Sequence, residues 1–223
     1  MKNLTLIIPA KNEAESLPKF LDELKNLEAK KLVVLEKEDI NTINSLQYNN
    51  DIKIIYQESK GYGNAIIEGI NNSKTDYCCI INADGSMDPK YLNEMLKECT
   101  NNDFIFASRY QKPNGGSEDD TVITYIGNKV FSFLGNLIFN LNLSDILFTY
   151  ILGKTNSFRS LNLKNKDFRL CVELPIKAKK LNFKYQTIPS YDRSRFGGKK
   201  KVNAIVDGFL ILVEILSFIG KRN

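Results

Sequence analysis

Five short apolar runs recur along the first half of the chain, at residues 4–8, 31–35, 52–56, 77–82 and 104–107, and the stretches between them carry apolar residues at helical spacing. Runs of this length, rich in Ile, Val and Phe, read as strands. Strands that alternate with helices cannot pair as hairpins, so the spacing predicts an α/β fold with a largely parallel sheet covered by helices. The helix starts are legible. Ser16 and Pro18 precede Phe20, Leu21, Leu24 and Leu27; Asp39 precedes Ile40, Ile43 and Leu46; Pro89 precedes Leu92, Met95 and Leu96.

In open sheets of this kind ligands bind beyond the carboxyl ends of the strands. That rule directs attention to residues 9–13, Glu36, residues 57–63 and residues 82–88. After about residue 110 the pattern changes. A polar loop with Gly115, Gly116, Glu118, Asp119 and Asp120 leads into an apolar helical stretch at 122–143. A helix around 173–180, a strand at 184–188, a basic loop at 191–201 and a final apolar segment at 202–219 follow, and this half is expected to supply the acceptor side.

Composition narrows the chemistry. A chain of 223 residues suits one domain with a real core. It has no histidine, which excludes a Ser-His-Asp triad, a Cys-His pair and His-bearing zinc sites. Any metal should then be a hard ion held by oxygens, Mg²⁺ or Mn²⁺. Cys78, Cys79, Cys99 and Cys171 show no CxxC spacing and no signal peptide precedes them, so reduced core thiols in a cytoplasmic protein are expected. The net charge of +5 gathers at Lys199, Lys200 and Lys201 and at Lys221 and Arg222, which favours a phosphate or an anionic membrane surface as partner. No nucleic-acid-binding motif is present.

Three loops carry candidate chemistry. Asn82-Ala83-Asp84, followed by Gly85, Ser86 and Asp88, puts a carboxylate at a strand end, where it can hold a cation bridging two phosphates or simply close an Asx-turn. Pro9-Ala10-Lys11-Asn12-Glu13 follows the first strand without the Gly-rich turn of a dinucleotide-binding fold; Asn12 and Glu13 can bond a base or ribose, or cap the next helix. In the third loop, residues 57–63, Gly61 and Gly63 allow close backbone approach and Lys60 can meet phosphate.

Taken in order, IIPAKNE at 7–13, KGYGNA at 60–65, NAD at 82–84, SRY at 108–110 and RFGGKK at 195–200 resemble the family 2, GT-A type inverting glycosyltransferases that include polyprenyl- and dolichyl-phosphate mannosyl- and glucosyltransferases. The resemblance runs through most of the chain and implies a GT-A-like nucleotide-binding sandwich. By it, Pro9, Ala10, Asn12, Glu13 and Glu36 line the nucleoside pocket with Lys60, Gly61 and Ala83 nearby, and Asp84, Ser86 and Asn82 face the metal and diphosphate. Arg109, Arg195 and Lys200 contact phosphates and, with Asp84, carry catalysis. Two positions depart from the family: Leu35-Glu36 stands where an acid pair is common, and Asn82 replaces the first acid of the metal motif.

The implied reaction moves a hexose from GDP-mannose or UDP-glucose to a polyprenyl phosphate, whose ionised oxygen needs no general base. A glycan or glycolipid hydroxyl is the alternative acceptor, with an acid such as Asp145 or Glu173 as base. A catalytically inactive nucleotide-sugar-binding or scaffolding subunit is the third reading. The expected division is a catalytic domain at 1–201 and an amphipathic helix at 202–223, which either lies in a membrane interface on the cytoplasmic face or packs on the domain or a second copy.

Overall fold

The structure is a computed structural model and describes residues 2–47, 49 and 51–220. The expected strands all form: β1 (Leu4–Pro9), β2 (Lys30–Leu35), β3 (Lys53–Tyr56), β4 (Tyr77–Ile80) and β5 (Phe104–Ser108). Between them run α1 (Leu17–Glu23), α2 (Ile40–Ser45), α3 (Tyr62–Asn72) and α4 (Leu92–Glu98), the last entered through a 3₁₀ turn at Pro89–Tyr91. The second half adds β6 (Gly116–Ser117), α5 (Val122–Phe139), β7 (Ile151–Lys154), α6 (Thr155–Ser160), α7 (Leu170–Lys180), β8 (Tyr185–Pro189), β9 (Tyr191–Asp192) and α8 (Val206–Ser217).

Seven strands form one sheet in the order β3-β2-β1-β4-β7-β5-β8, and β6 pairs with β9 in a separate ribbon. Every neighbour in the large sheet is parallel except β7, which runs antiparallel to both β4 and β5. The chain order reverses between β1 and β4, so the carboxyl ends of these strands frame a crevice.

Period-two alternation sorts the strand side chains into two cores. Leu4, Leu6 and Ile8 of β1 join Phe20 and Leu21 of α1 and Leu92 and Met95 of α4 on one face. Ile7 of β1, with Cys78 and Ile80 of β4, joins Ile66 and Ile70 of α3 and Phe158 of α6 on the other. A fully buried side chain such as Phe20 or Phe104 contributes roughly 1.5–3 kcal/mol by leaving water. All four cysteines are free and buried, Cys78, Cys79 and Cys99 within these layers and Cys171 at the cavity wall. The final apolar segment is helical over Val206–Ser217, and its Ile211 and Ile215 enter the second core.

Candidate active site

The loop after β1 is fixed from two sides. Asn12 adopts a left-handed φ of +52°, its N–H donates to the Asp39 carboxylate at 2.6 Å, and the Glu13 N–H donates to the Thr42 hydroxyl at 2.9 Å. Asp39 also accepts from the Thr42 N–H, capping α2. Neither Asn12 nor Glu13 caps α1. The N-cap position is Ser16, which makes no capping bond; its hydroxyl donates to the Glu13 carboxylate instead. Glu13 is buried and also meets Lys201 Nζ at 2.8 Å, so the start of the chain touches the late basic loop.

The loop after β4 closes on Asp84. Oδ1 of Asp84 accepts from the Ser86 N–H at 3.1 Å, which is an Asx-turn. Oδ2 lies 3.4 Å from Arg195 Nη1, and Asp84 is on the cavity wall. Asn82 accepts from the Tyr62 hydroxyl at 2.9 Å; Tyr62 also pairs with the Thr149 hydroxyl and stacks on Phe168 at 5.0 Å. Burial pushes the Tyr62 phenol well above its ordinary range, so it stays a donor toward Asn82.

The basic loop is stitched onto this turn. Arg193 N–H donates to the Ser86 carbonyl at 3.0 Å and Phe196 N–H to the Asp84 carbonyl at 2.9 Å. The Arg193 side chain donates to the Gly85 carbonyl at 2.7 Å. Gly85 takes a φ of +77°, and a Cβ there would meet the Phe196 ring at 2.6 Å. Glycine is therefore required where the two loops touch.

A cavity of about 620 Å³ opens over the carboxyl edge of the sheet. Its wall brings together Pro9, Ala10, Asn12, Glu13, Glu36, Gly61, Asn82, Ala83, Asp84, Ser86, Arg109, Arg195 and Lys200, all of which the sequence singles out. Lys60 is the exception. Its amine is drawn to Glu36, 3.7 Å away, and its side chain lies 72% exposed to solvent, off the cavity wall.

Sequence reasoning missed how the cations are held. Arg109 donates to Asp145 through Nε at 2.7 Å and Nη2 at 3.0 Å, faces Asp120 at 3.6 Å and lies over the Phe148 ring at 4.6 Å. Burial works against its charge, yet the Asp145 carboxylate more than offsets this and raises its pKa. Arg195 binds Asp119 at 2.9 Å, and Lys200 meets the same carboxylate at 3.2 Å. Burial tends to raise the Asp119 pKa, but Arg195 and Lys200 prevail and lower it.

Asp192 differs from these acids. It is buried, its Oδ2 accepts from Ser117, Arg109 is 4.0 Å away, and Oδ1 has no hydrogen-bond partner among the described residues. Burial, only partly countered by Arg109, pushes its pKa up to about 6. Its one sequence signal is position, at the start of the basic loop at 191–201. The two acids expected as bases are both engaged: Asp145 by Arg109, and Glu173 by the N–H groups of Lys164 and Asn165 and by Lys177 at 2.7 Å.

A mostly parallel sheet interrupted by one antiparallel strand and flanked by helices, with a cavity of acids and cations at its carboxyl edge, matches the GT-A type fold. The sequence profile of Glycosyl transferase family 2 matches residues 5–161, and the chain belongs to that family. Its reaction class is glycosyl transfer from a nucleotide sugar. An uncharacterised glycosyltransferase of Mycobacterium tuberculosis strain H37Rv is 22% identical over 210 residues, covering 94% of each chain. Among solved structures, glucosyl-3-phosphoglycerate synthase from Mycobacterium tuberculosis with Mn²⁺, UDP and glucosyl-3-phosphoglycerate superposes with a TM-score of 0.75 at 12% identity, over 99% of this chain and 81% of that one. The same synthase with phosphoglyceric acid gives 0.76 at 13% identity, with the same coverage.

Proposed function

We propose that this protein transfers a hexose from GDP-mannose or UDP-glucose, with inversion, to a polyprenyl-phosphate acceptor on the cytoplasmic face of a membrane, using Mg²⁺ or Mn²⁺. The observation that carries the donor reading is Asp84 at the end of β4, on the cavity wall, with one oxygen spent on its turn and the other beside Arg195. The site fits a hard ion. Asp84 and Asn82 offer only oxygen, and among the described residues no cluster of three acids or thiols forms a cage. Such an ion takes its remaining ligands from diphosphate and water, as Mg²⁺ and Mn²⁺ do in phosphate sites. Bound there, it would neutralise charge on the departing diphosphate. The Mycobacterium tuberculosis synthase, similar in fold, holds Mn²⁺, UDP-glucose and phosphoglyceric acid together, which supports the pairing of nucleotide sugar with divalent ion.

The chain's own residues supply the rest. Pro9, Ala10 and Glu36 form the nucleoside end of the cavity. Arg195 and Lys200 exchange Asp119 for phosphate oxygens and stabilise the charge that develops as the glycosidic bond breaks. An ionised lipid phosphate attacks without giving up a proton, which suits a cavity whose expected bases are already engaged. Asp192, with its unpartnered oxygen, favours a second reading in which a glycan hydroxyl is the acceptor and Asp192 takes its proton. The four buried, unpaired cysteines support a reducing compartment.

Thermal-shift measurement with UDP- and GDP-sugars, with and without Mn²⁺, tests the donor site. A metal-dependent rise with one base, absent in Asp84→Ala, is expected; no rise with any of them would leave the inactive-subunit reading standing. An acid-labile lipid product formed from polyprenyl phosphate separates the two acceptors.

A further inference from the structure

α5 has its polarity inside out. The residues it buries are Asn128, Ser132 and Gly135, while Val122, Ile123, Ile126, Val130, Phe133 and Leu137 are exposed, Val122 by 76% and Leu137 by 69%. A surface helix in water shows the opposite arrangement. α8 is apolar on two sides. One stripe enters the core through Ile211 and Ile215, and a second, Val206, Phe209, Val213 and Leu216, faces out, with Ile205 and Ile219 exposed at its ends.

The two helices pack on each other and form one surface. Among the described residues eighteen large apolar side chains are exposed, seven of them on α5 and seven between Val202 and Ile219, so the exposure is concentrated there rather than scattered. Charge on this surface is one-sided. The single charged residue of α5 is Lys129, which lies over the Tyr110 ring at 4.4 Å. Both acids of α8 are engaged: Asp207 accepts from the Asn203 N–H at 2.7 Å, and Glu214 accepts from the Asn165 side chain at 3.0 Å. Lys199 stands exposed just before the helix, beside Lys200 and Lys201, which pair with Asp119 and Glu13 respectively.

We propose that α5 and α8 together form a docking surface for an anionic lipid bilayer, lying in its interface, with the cavity whose wall they share held against the lipid. The lysine margin complements anionic headgroups. α5 lies rather than spans. By length and composition its 18 residues could cross a membrane, but the helix packs on α7 and α8 and Thr124 and Asn128 on its inner side line the cavity, so one side of it stays with the protein. The cavity is also lined by Val202, Asp207 and Ile211 at the start of and along α8, so an amphiphilic acceptor would reach it without leaving the interface.

This inference deepens the transferase reading, but its test needs neither donor nor acceptor. The full chain is mixed with vesicles of phosphatidylcholine plus phosphatidylglycerol, or of phosphatidylcholine alone, and floated on a density gradient. Flotation with the anionic vesicles is expected, weakened about tenfold or more when Phe133, Leu137, Phe209 and Val213 are all changed to Ser. Because the chain has no tryptophan, Phe133→Trp and Phe209→Trp report directly. Their emission should shift to the blue on adding anionic vesicles, while that of Ile40→Trp, on α2 across the sheet, stays unchanged. The proposal is overturned if the native chain does not float, if the Ser variant floats equally, or if sedimentation shows a dimer that the Ser variant turns into monomers. Vesicle binding without transfer would instead sink the transferase reading and leave the surface standing.

Discussion

Arg109 and Asp145 are separated by 36 residues in sequence and share three hydrogen bonds, two from the guanidinium and one from the Arg109 N–H, with the Asp145 side chain fully buried. Breaking such a pair leaves a buried charge without its counterion, so Arg109→Met, which removes the cation, should cost about 3 kcal/mol in urea unfolding. Asp192 makes the opposite kind of contribution. Its folded-state pKa of about 6 exceeds the ordinary 3.8, so as pH rises between those values the unfolded chain ionises first and stability falls. The cost is absent below the ordinary value and fully present above about 6. Asp192→Asn should therefore raise the melting temperature by a few degrees at about pH 8 and leave it unchanged at about pH 3.5. Equal shifts at both would mean that the carboxylate is not destabilised by burial.

At the scale of elements, the turn into α3 depends on one residue. Gly61 has a φ of +119°, and a Cβ there would come within 2.1 Å of the Lys166 carbonyl oxygen. Gly61→Ala should lower stability by about 2 kcal/mol or more and loosen the cavity wall between β3 and β4, read as a reduced melting temperature and a weaker nucleotide-sugar response. The sequence made this glycine visible as part of a strand-to-helix loop. It also made visible β1 to β5 and the helices between them, because periodicity is a local property of the chain. β7 escaped notice: its Ile-Leu-Gly-Lys run is four residues long, contains a glycine, and leads directly into α6 without a loop. β6 and β9, two residues each, carry no pattern at all. The site loops were legible for the same local reason, whereas the pairing of Arg195 and Lys200 with Asp119 joins residues some eighty apart and depends on the finished fold.

For the whole molecule, stability and ligand binding should separate cleanly. The two cores are apolar, and among the described residues no acid cluster binds an ion by protein groups alone. EDTA is expected to leave the melting temperature of the protein unchanged while abolishing the rise produced by nucleotide sugar, a rise that at a hundredfold excess over Kd amounts to about 2.7 kcal/mol. A drop in melting temperature with EDTA alone would mean that an ion supports the fold itself.

β7 also sets the order in which the molecule can be completed. β5 has no strand partner other than β7 and β8, so during synthesis its edge stays open until residues 151–154 leave the ribosome and bridge it to β4. β1 to β4 can pair while translation continues. The cavity has to wait for Arg195 and Lys200, and a chain stalled near residue 120 would carry an unpaired apolar strand of the kind that chaperones bind and aggregates recruit.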